Sequence, residues 1–176
     1  LGAVFSRGFL KSGRAVFPVT RQGRMAEVAR TVPEPDLALV AVGETELCNV
    51  LAELPAEWRG RVGLVQNELL PGSWRAHDIA KPTVVVVWFE KKPTTLVKEL
   101  LPTAVFGPGT SLIREALGTV GIVTRALDSE ADLLFELVRK NLYILTTNIA
   151  GLEHGGTVTE LWHERKDLAL RVARDV

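Results

Sequence analysis

Asp36-Leu37-Ala38-Leu39-Val40-Ala41-Val42-Gly43 is an unbroken apolar run of six residues between an aspartate and a glycine. A strand with one face in water alternates apolar and polar residues, whereas a strand covered on both faces does not. The run therefore predicts a buried strand of a parallel sheet. Directly after it, Leu47, Val50, Leu51 and Leu54 recur at i, i+3, i+4 and i+7 before Pro55, the apolar stripe of an amphipathic helix. A buried strand followed by such a helix is the repeating unit of layered α/β domains.

The same alternation extends in both directions. Downstream, strands are expected at Val62 to Val65, Pro82 to Phe89 and Thr103 to Phe106. A helix is expected from about Thr110 to Thr119, carrying Leu112, Ile113, Ala116 and Leu117. Upstream, Val4, Phe5, Phe9 and Leu10 fall at helical spacings up to Ser12-Gly13, and because the sequence opens directly in this pattern, with no lead-in or signal peptide in these residues, a preceding stretch is expected to be missing. Ala15 to Thr20 (AVFPVT) reads as a strand away from the sheet centre, because Pro18 lacks a ladder donor. Residues 1–127 are thus expected to form a mostly parallel α/β sheet with helices on both faces and right-handed crossovers.

From Asp128 the pattern turns wholly helical. Ser129 with Asp132, and Thr157 with Glu160, have capping-box spacing, so one helix is expected from about Glu130 to Leu152 and a second from Thr157 to the C-terminus, with Gly155-Gly156 between them. Two helices bury too little to stand alone, so residues 128–176 read as a partial helical part that packs on the α/β domain, on a second chain or on residues outside this sequence, with a homodimer expected.

Charge and composition narrow the function. In 176 residues, 21 Lys+Arg balance 21 Asp+Glu, which gives no field to gather nucleic acid or a membrane surface. A single cysteine, Cys48, excludes an internal disulfide and fits a reducing cytoplasm. His77, His154 and His163 show no metal-ligand spacing with each other or with Cys48, so no metal is expected.

Three places carry candidate chemistry. Arg21 ends the AVFPVT segment, where a dinucleotide-binding unit reads the adenosine ribose; it is either a solvated strand end or a forked partner for a 2′-phosphate. Gln66-Asn67-Glu68 follow a strand and are either a turn or amides that hold a ribose, a nicotinamide or a substrate carbonyl. Lys140, Ile144 and Asn148 share one helix face. There Lys140 is a surface lysine or a proton donor to a carbonyl oxygen, with Asn148 holding the same substrate.

Taken in order, these segments resemble the ketopantoate reductases, Rossmann dehydrogenases with a helical C-terminal domain like that of 6-phosphogluconate dehydrogenase. LGAVFSRGFLKSG resembles the end of the family's glycine loop and its first helix, with Gly2 matching the third glycine; the first strand and first two glycines have no counterpart here. RAVFPVTR, DLALVAVGETEL and VGLVQNELL resemble three further strand ends, with Gly43 where the family has lysine and Glu68 where it has glycine. The longest match runs from FGPGTSLIREALG through ELVRKNLYILTTNIAGLEHGGTVTELW, where the family's Lys-x-x-x-Asn-x-x-x-Asn appears as Lys140, Ile144 and Asn148. The family's remaining C-terminal helices have no counterpart after Val176. Pyrroline-5-carboxylate reductases share the opening and the DLALVAV segment, but the Lys140 helix favours the ketopantoate reductases.

The resemblance implies a Rossmann-like fold and an NADP-dependent oxidoreductase that reduces a small 2-oxo acid. It implies Gly2, Arg21 and Asn67 at NADPH, Lys140 as general acid, and Asn67 and Asn148 at the substrate. The alternative class is a catalytically inactive Rossmann-like module for nucleotide binding or dimerisation, to which Gly43 and Ile144 point.

Overall fold

A computed structural model of the chain describes residues 1–20, 23–91, 97–154 and 156–175. Its helices are α1 (Gly2–Lys11), α2 (Met25–Thr31), α3 (Glu44–Ala52), α4 (Pro71–Arg75), α5 (Thr110–Thr119), α6 (Glu130–His154), α7 (Val158–Glu164) and α8 (Lys166–Asp175), with a 3-10 turn at Ala56–Arg61. The strands are β1 (Ala38–Val40), β2 (Val62–Leu64), β3 (Thr83–Val86), β4 (Phe89–Glu90), β5 (Lys98–Glu99), β6 (Thr103–Phe106) and β7 (Thr124–Ala126).

Five strands form one sheet in the order β1-β2-β3-β6-β7, and β4 and β5 form a separate hairpin. Strands β1, β2 and β3 run parallel, β6 is antiparallel to β3, and β7 is parallel to β6. The mostly parallel α/β sheet read from the sequence is present. Alternation along β3 and its continuation sends Val84, Val86 and Trp88 to one face and Val85 and Val87 to the other. The first face is covered by Leu47 and Leu51 of α3, Trp58, Trp74 and the α6 residues Leu133 and Leu137. The second is covered by Val4 and Phe5 of α1 and Ile113 and Leu117 of α5. Burying each of these large side chains contributes about 1.5–3 kcal/mol, so the two layers carry most of the stability.

Two glycines set close approaches. A Cβ on Gly8 of α1 would stand 2.5 Å from the Ala116 carbonyl oxygen, so α1 and α5 cross backbone to backbone there. On Gly63 of β2 it would stand 2.9 Å from Leu39 Cδ1, in the space where the leucines of the β1 segment fold over the sheet.

The Thr157 capping box forms, with the Glu160 amide donating to Thr157 Oγ1 at 3.2 Å while Glu160 accepts from the Thr157 amide. At the other start Ser129 caps the helix, the Asp132 amide donating to Ser129 Oγ at 3.1 Å, but the Asp132 carboxylate accepts from the Ser129 hydroxyl at 2.6 Å rather than from its amide. The first half of the 25-residue α6 packs on the sheet, and its second half packs Ala150 against Leu161 of α7 and Ala169 of α8.

Three expectations change. Ala15 to Thr20 is not a strand: Pro18 lacks a donor and no described strand lies beside the segment to supply a ladder, so Phe17 and Val19 stay exposed. The C-terminal helix is broken at Arg165, which lets Leu161 and Ala169, on separate helices, both turn toward α6. The Pro82 to Phe89 run is also shorter as a sheet strand, because the chain leaves the sheet after Val86 and turns into the β4–β5 hairpin.

Candidate functional site

The parallel strands β1, β2 and β3 end at Val42-Gly43, Gln66-Asn67 and Val87-Trp88. Because β6 runs the other way, its first residue Thr103, and Arg125 of β7 with it, arrive at this same edge. Helix α6 crosses the edge. Open α/β sheets collect ligands here, beyond the carboxyl ends of the strands.

Trp88 organises the β3 end. Its amide donates to Thr103 Oγ1 at 3.1 Å, its carbonyl accepts from Leu100 at 2.8 Å, and its indole Nε1 donates to Glu136 Oε2 at 3.4 Å. The Glu136 carboxylate, buried on α6, also accepts from Arg125 at 2.7 Å and from Arg139 at 3.1 Å. Two charge-assisted contacts offset the burial of that carboxylate, and both arginines keep half their surface in water or nearly so.

Lys140, one turn along the same face from Glu136, is only 8% exposed. Its Nζ sits 4.4 Å from the Trp88 ring centroid and 5.9 Å from that of Tyr143, and the two rings are 5.4 Å apart. Among the described residues this ammonium makes no hydrogen bond and no ion pair. Desolvation holds Lys140 below the usual lysine pKa, with the charge of Glu90 pulling the other way. Desolvation also pushes the Tyr143 phenol up, and Glu90 adds to that. A buried cation with aromatic walls and no acceptor is suited to donate a proton, or a hydrogen bond, to an oxygen that arrives from outside.

The other sequence candidates fall as follows. Gln66 is buried and structural: its Oε1 accepts from the Val65 amide, and its Nε2 donates to the Val40 and Val42 carbonyls, tying the ends of β1 and β2 together. Asn67 is half-buried beyond it, its amide capped by Glu44 Oε1 at 3.2 Å. Its side-chain amide has no partner among the described residues. The loop that carries Asn67 is joined to α6 by Asn141 Nδ2, which donates to the Leu69 carbonyl at 3.3 Å from the position next to Lys140. Gly2 opens α1 beside Ala41, just past β1, and the amides of Gly2 and Ala3 have no acceptor among the described residues. Ile144 is half-buried and Asn148 is exposed, so the Lys140 face of α6 runs from interior to surface. Arg21 lies outside the described residues. Gly43 caps α3 with open space around its Cα, so it sets no close approach.

Sequence reasoning missed Trp88, Glu136, Arg125 and Tyr143. The available signal was Glu136, an acidic residue on the apolar α6 face between Leu133 and Lys140. A concavity of about 430 Å³ at the far end of α6 is lined by charged groups such as Glu153, Arg165, Lys166 and Asp167 and contains none of these residues. Among the described residues no helix is long and apolar enough to cross a membrane.

Neither a protein-family model nor a curated protein matches the chain. Among solved structures, the chain is similar to a candidate ketopantoate reductase from Ralstonia solanacearum MolK2, with 13% identity, a TM-score of 0.59, and coverage of 99% of this chain and 71% of that one. The likeness is one of fold. It matches the Rossmann-like α/β sheet with C-terminal helices described above.

Proposed function

We propose that the chain is a reductase of small 2-oxo acids that uses NADPH and works in the manner of the ketopantoate reductases. The reading rests on one observation above all: Lys140 is a largely buried lysine whose ammonium has no protein acceptor among the described residues, at the carboxyl edge of the sheet where it meets α6. The fold shared with the Ralstonia solanacearum protein supports it.

The residues present fit a dinucleotide at one end. The unpaired amides of Gly2 and Ala3 at the start of α1 would receive a pyrophosphate, Arg21 the 2′-phosphate, and Asn67 the nicotinamide. When bound, the nicotinamide supplies the hydride. The chain's own part is acid catalysis. Lys140 Nζ donates its proton to the carbonyl oxygen of the 2-oxo acid, its lowered pKa bringing it closer to neutrality, where proton transfer is most effective. The Trp88 and Tyr143 rings flank that nitrogen, which stays open to an arriving oxygen, and Asn148 would hold the outer end of the substrate.

The test is NADPH oxidation by the 176-residue chain over a panel of 2-oxo acids, beside Lys140→Ala. Loss of turnover with nearly unchanged NADPH affinity, measured by calorimetry, is the expected result; an unchanged rate would remove Lys140 from the reaction. The exposure of Asn148 favours a second reading, a nucleotide-binding module without turnover. NADPH binding that weakens in Arg21→Ala, with no 2-oxo acid reduced, would select it.

A further inference from the structure

Arg125 of β7 and Arg139 of α6 converge on one atom. Arg125 Nη2 donates to Glu136 Oε1 at 2.7 Å, and Arg139 Nη1 donates to the same oxygen at 3.1 Å. One guanidinium neutralises one carboxylate, so the second brings a surplus charge. An arginine carries five N–H donors, and each of these two spends one of them on Glu136. The others meet no acceptor among the described residues, and the two side chains are 51% and 39% exposed at the carboxyl edge of the sheet. Lys140 adds a third cation. Set against Glu136 and against Glu90, whose charge acts on Lys140, the three cations leave one positive charge unbalanced. Planar guanidinium groups with donors to spare and a face in water are built to receive a carboxylate.

The Trp88 ring sets the spacing. Arg139 Cζ stands 5.0 Å from its centroid and Lys140 Nζ stands 4.4 Å from it, so the two cations lie within the sum of those distances of each other. In a 2-oxo acid the carbonyl oxygen and the carboxylate sit on adjacent carbons. With a hydrogen bond of about 2.9 Å at each end, such a molecule reaches groups up to roughly 9 Å apart.

We propose that Arg139, supported by Arg125, receives the carboxylate of the substrate while Lys140 takes its carbonyl oxygen, so that the chain selects 2-oxo acids over their neutral esters. The rest of the substrate then points the other way along α6, toward Asn148 about two turns beyond Lys140. Glu136 is the positioning residue: it holds both guanidinium groups and, through the indole N–H, the ring that Arg139 and Lys140 share. The inference rests on the reductase reading for its reaction and adds to it the group that reads the acid end.

The first measurement is NADPH oxidation by the 176-residue chain with the 2-oxo acids of the panel, pyruvate among them, and with their methyl esters. Parent, Arg139→Gln and Arg139→Lys are compared; Arg125 still pairs with Glu136 in both variants, so the fold is kept, as circular dichroism checks. The parent is expected to prefer acid to ester. Arg139→Gln is expected to lower kcat/KM for the acid about 10- to 100-fold, through KM, with the ester nearly unchanged, and Arg139→Lys to recover part of the loss. A merely structural role slows acid and ester alike, and that outcome overturns the proposal, as does a parent that reduces both equally well. The second measurement needs no turnover: calorimetric binding of oxamate, which has the shape and charge of a 2-oxo acid and is not reduced. Arg139→Gln is expected to weaken it at least about tenfold. Oxamate held through Arg139 with no 2-oxo acid reduced would keep the carboxylate site and remove the reductase reading. Reduction of 2-oxo acids with oxamate affinity indifferent to Arg139 would keep the reading and sink the carboxylate site, and so would no binding at about 10 mM oxamate.

Discussion

Gly8→Ala and Gly118→Ala are the same chemical change on two packed helices, and the structure gives them opposite signs. In either helix, replacing glycine by alanine removes backbone freedom from the unfolded chain and favours folding by up to about 1 kcal/mol. Gly118 lies on the exposed side of α5 with nothing within 4 Å of a new Cβ, so that gain stands alone. At Gly8 the new carbon would be 2.5 Å from the Ala116 oxygen and 2.9 Å from its carbonyl carbon. Both are backbone atoms of α5 and neither can swing aside. Helix α1 must therefore retreat by roughly 0.7 Å, which thins the contact of Val4 and Phe5 with Ile113 and Leu117; overpacking of this kind costs about 1–3 kcal/mol. Subtracting a helix gain of about 1 kcal/mol leaves Gly8→Ala destabilising by up to about 2 kcal/mol, or a fall in Tm of up to roughly 8 °C at this chain length. Urea and thermal unfolding of the two variants beside the parent measure both terms. A Gly8→Ala variant as stable as Gly118→Ala would refute the backbone contact between α1 and α5.

The remaining predictions concern α6, its partners and α7. Because the folded chain holds Lys140 below its unfolded pKa, the unfolded chain binds more protons, and stability from this group rises as pH climbs from the folded value toward 10.5. Lys140→Met should flatten that rise in Tm between pH 7 and 9.5; an identical pH profile in both proteins would show that the ammonium is not desolvated. Tyr143, held up, acts in the opposite direction above pH 10, so the comparison stops short of it. Glu136→Gln leaves Arg125 and Arg139 without their carboxylate and should cost about 2 kcal/mol, less than a wholly buried pair because both arginines reach water, read as a Tm fall of roughly 4–8 °C. Thr157→Ala removes the acceptor for the Glu160 amide and should cost about 1 kcal/mol, seen as faster amide exchange in α7 with little change in the sheet.

Much of this architecture was legible because its signals are local. The apolar run 37–42, the run before Trp88 and the two helix starts at Ser129 and Thr157 each depend on residues within one turn or one strand of each other. Strand direction was not legible: Thr103–Phe106 is buried on both faces, and a strand so covered reads the same whether its neighbour is parallel or antiparallel. The AVFPVT segment misled because strand-forming residues need a ladder partner, which composition does not reveal. Lys140 stood out through family resemblance, whereas periodicity also fitted a surface lysine. Its surroundings were hidden because Trp88 and Glu136 are 48 residues apart and meet only when β3 and α6 pack.

Pro18 takes on a different meaning once AVFPVT is seen to lie outside the sheet. Six uncharged residues, four of them apolar besides the proline, with Phe17 and Val19 in water, are the raw material of intermolecular β-stacking, the step from dissolved protein to aggregate. A proline in the middle withdraws one backbone donor and stiffens the chain where a stacked strand would need to run on. The residue that weakens this segment as a strand is thereby its gatekeeper, and it protects the chain most while newly made copies are crowded together.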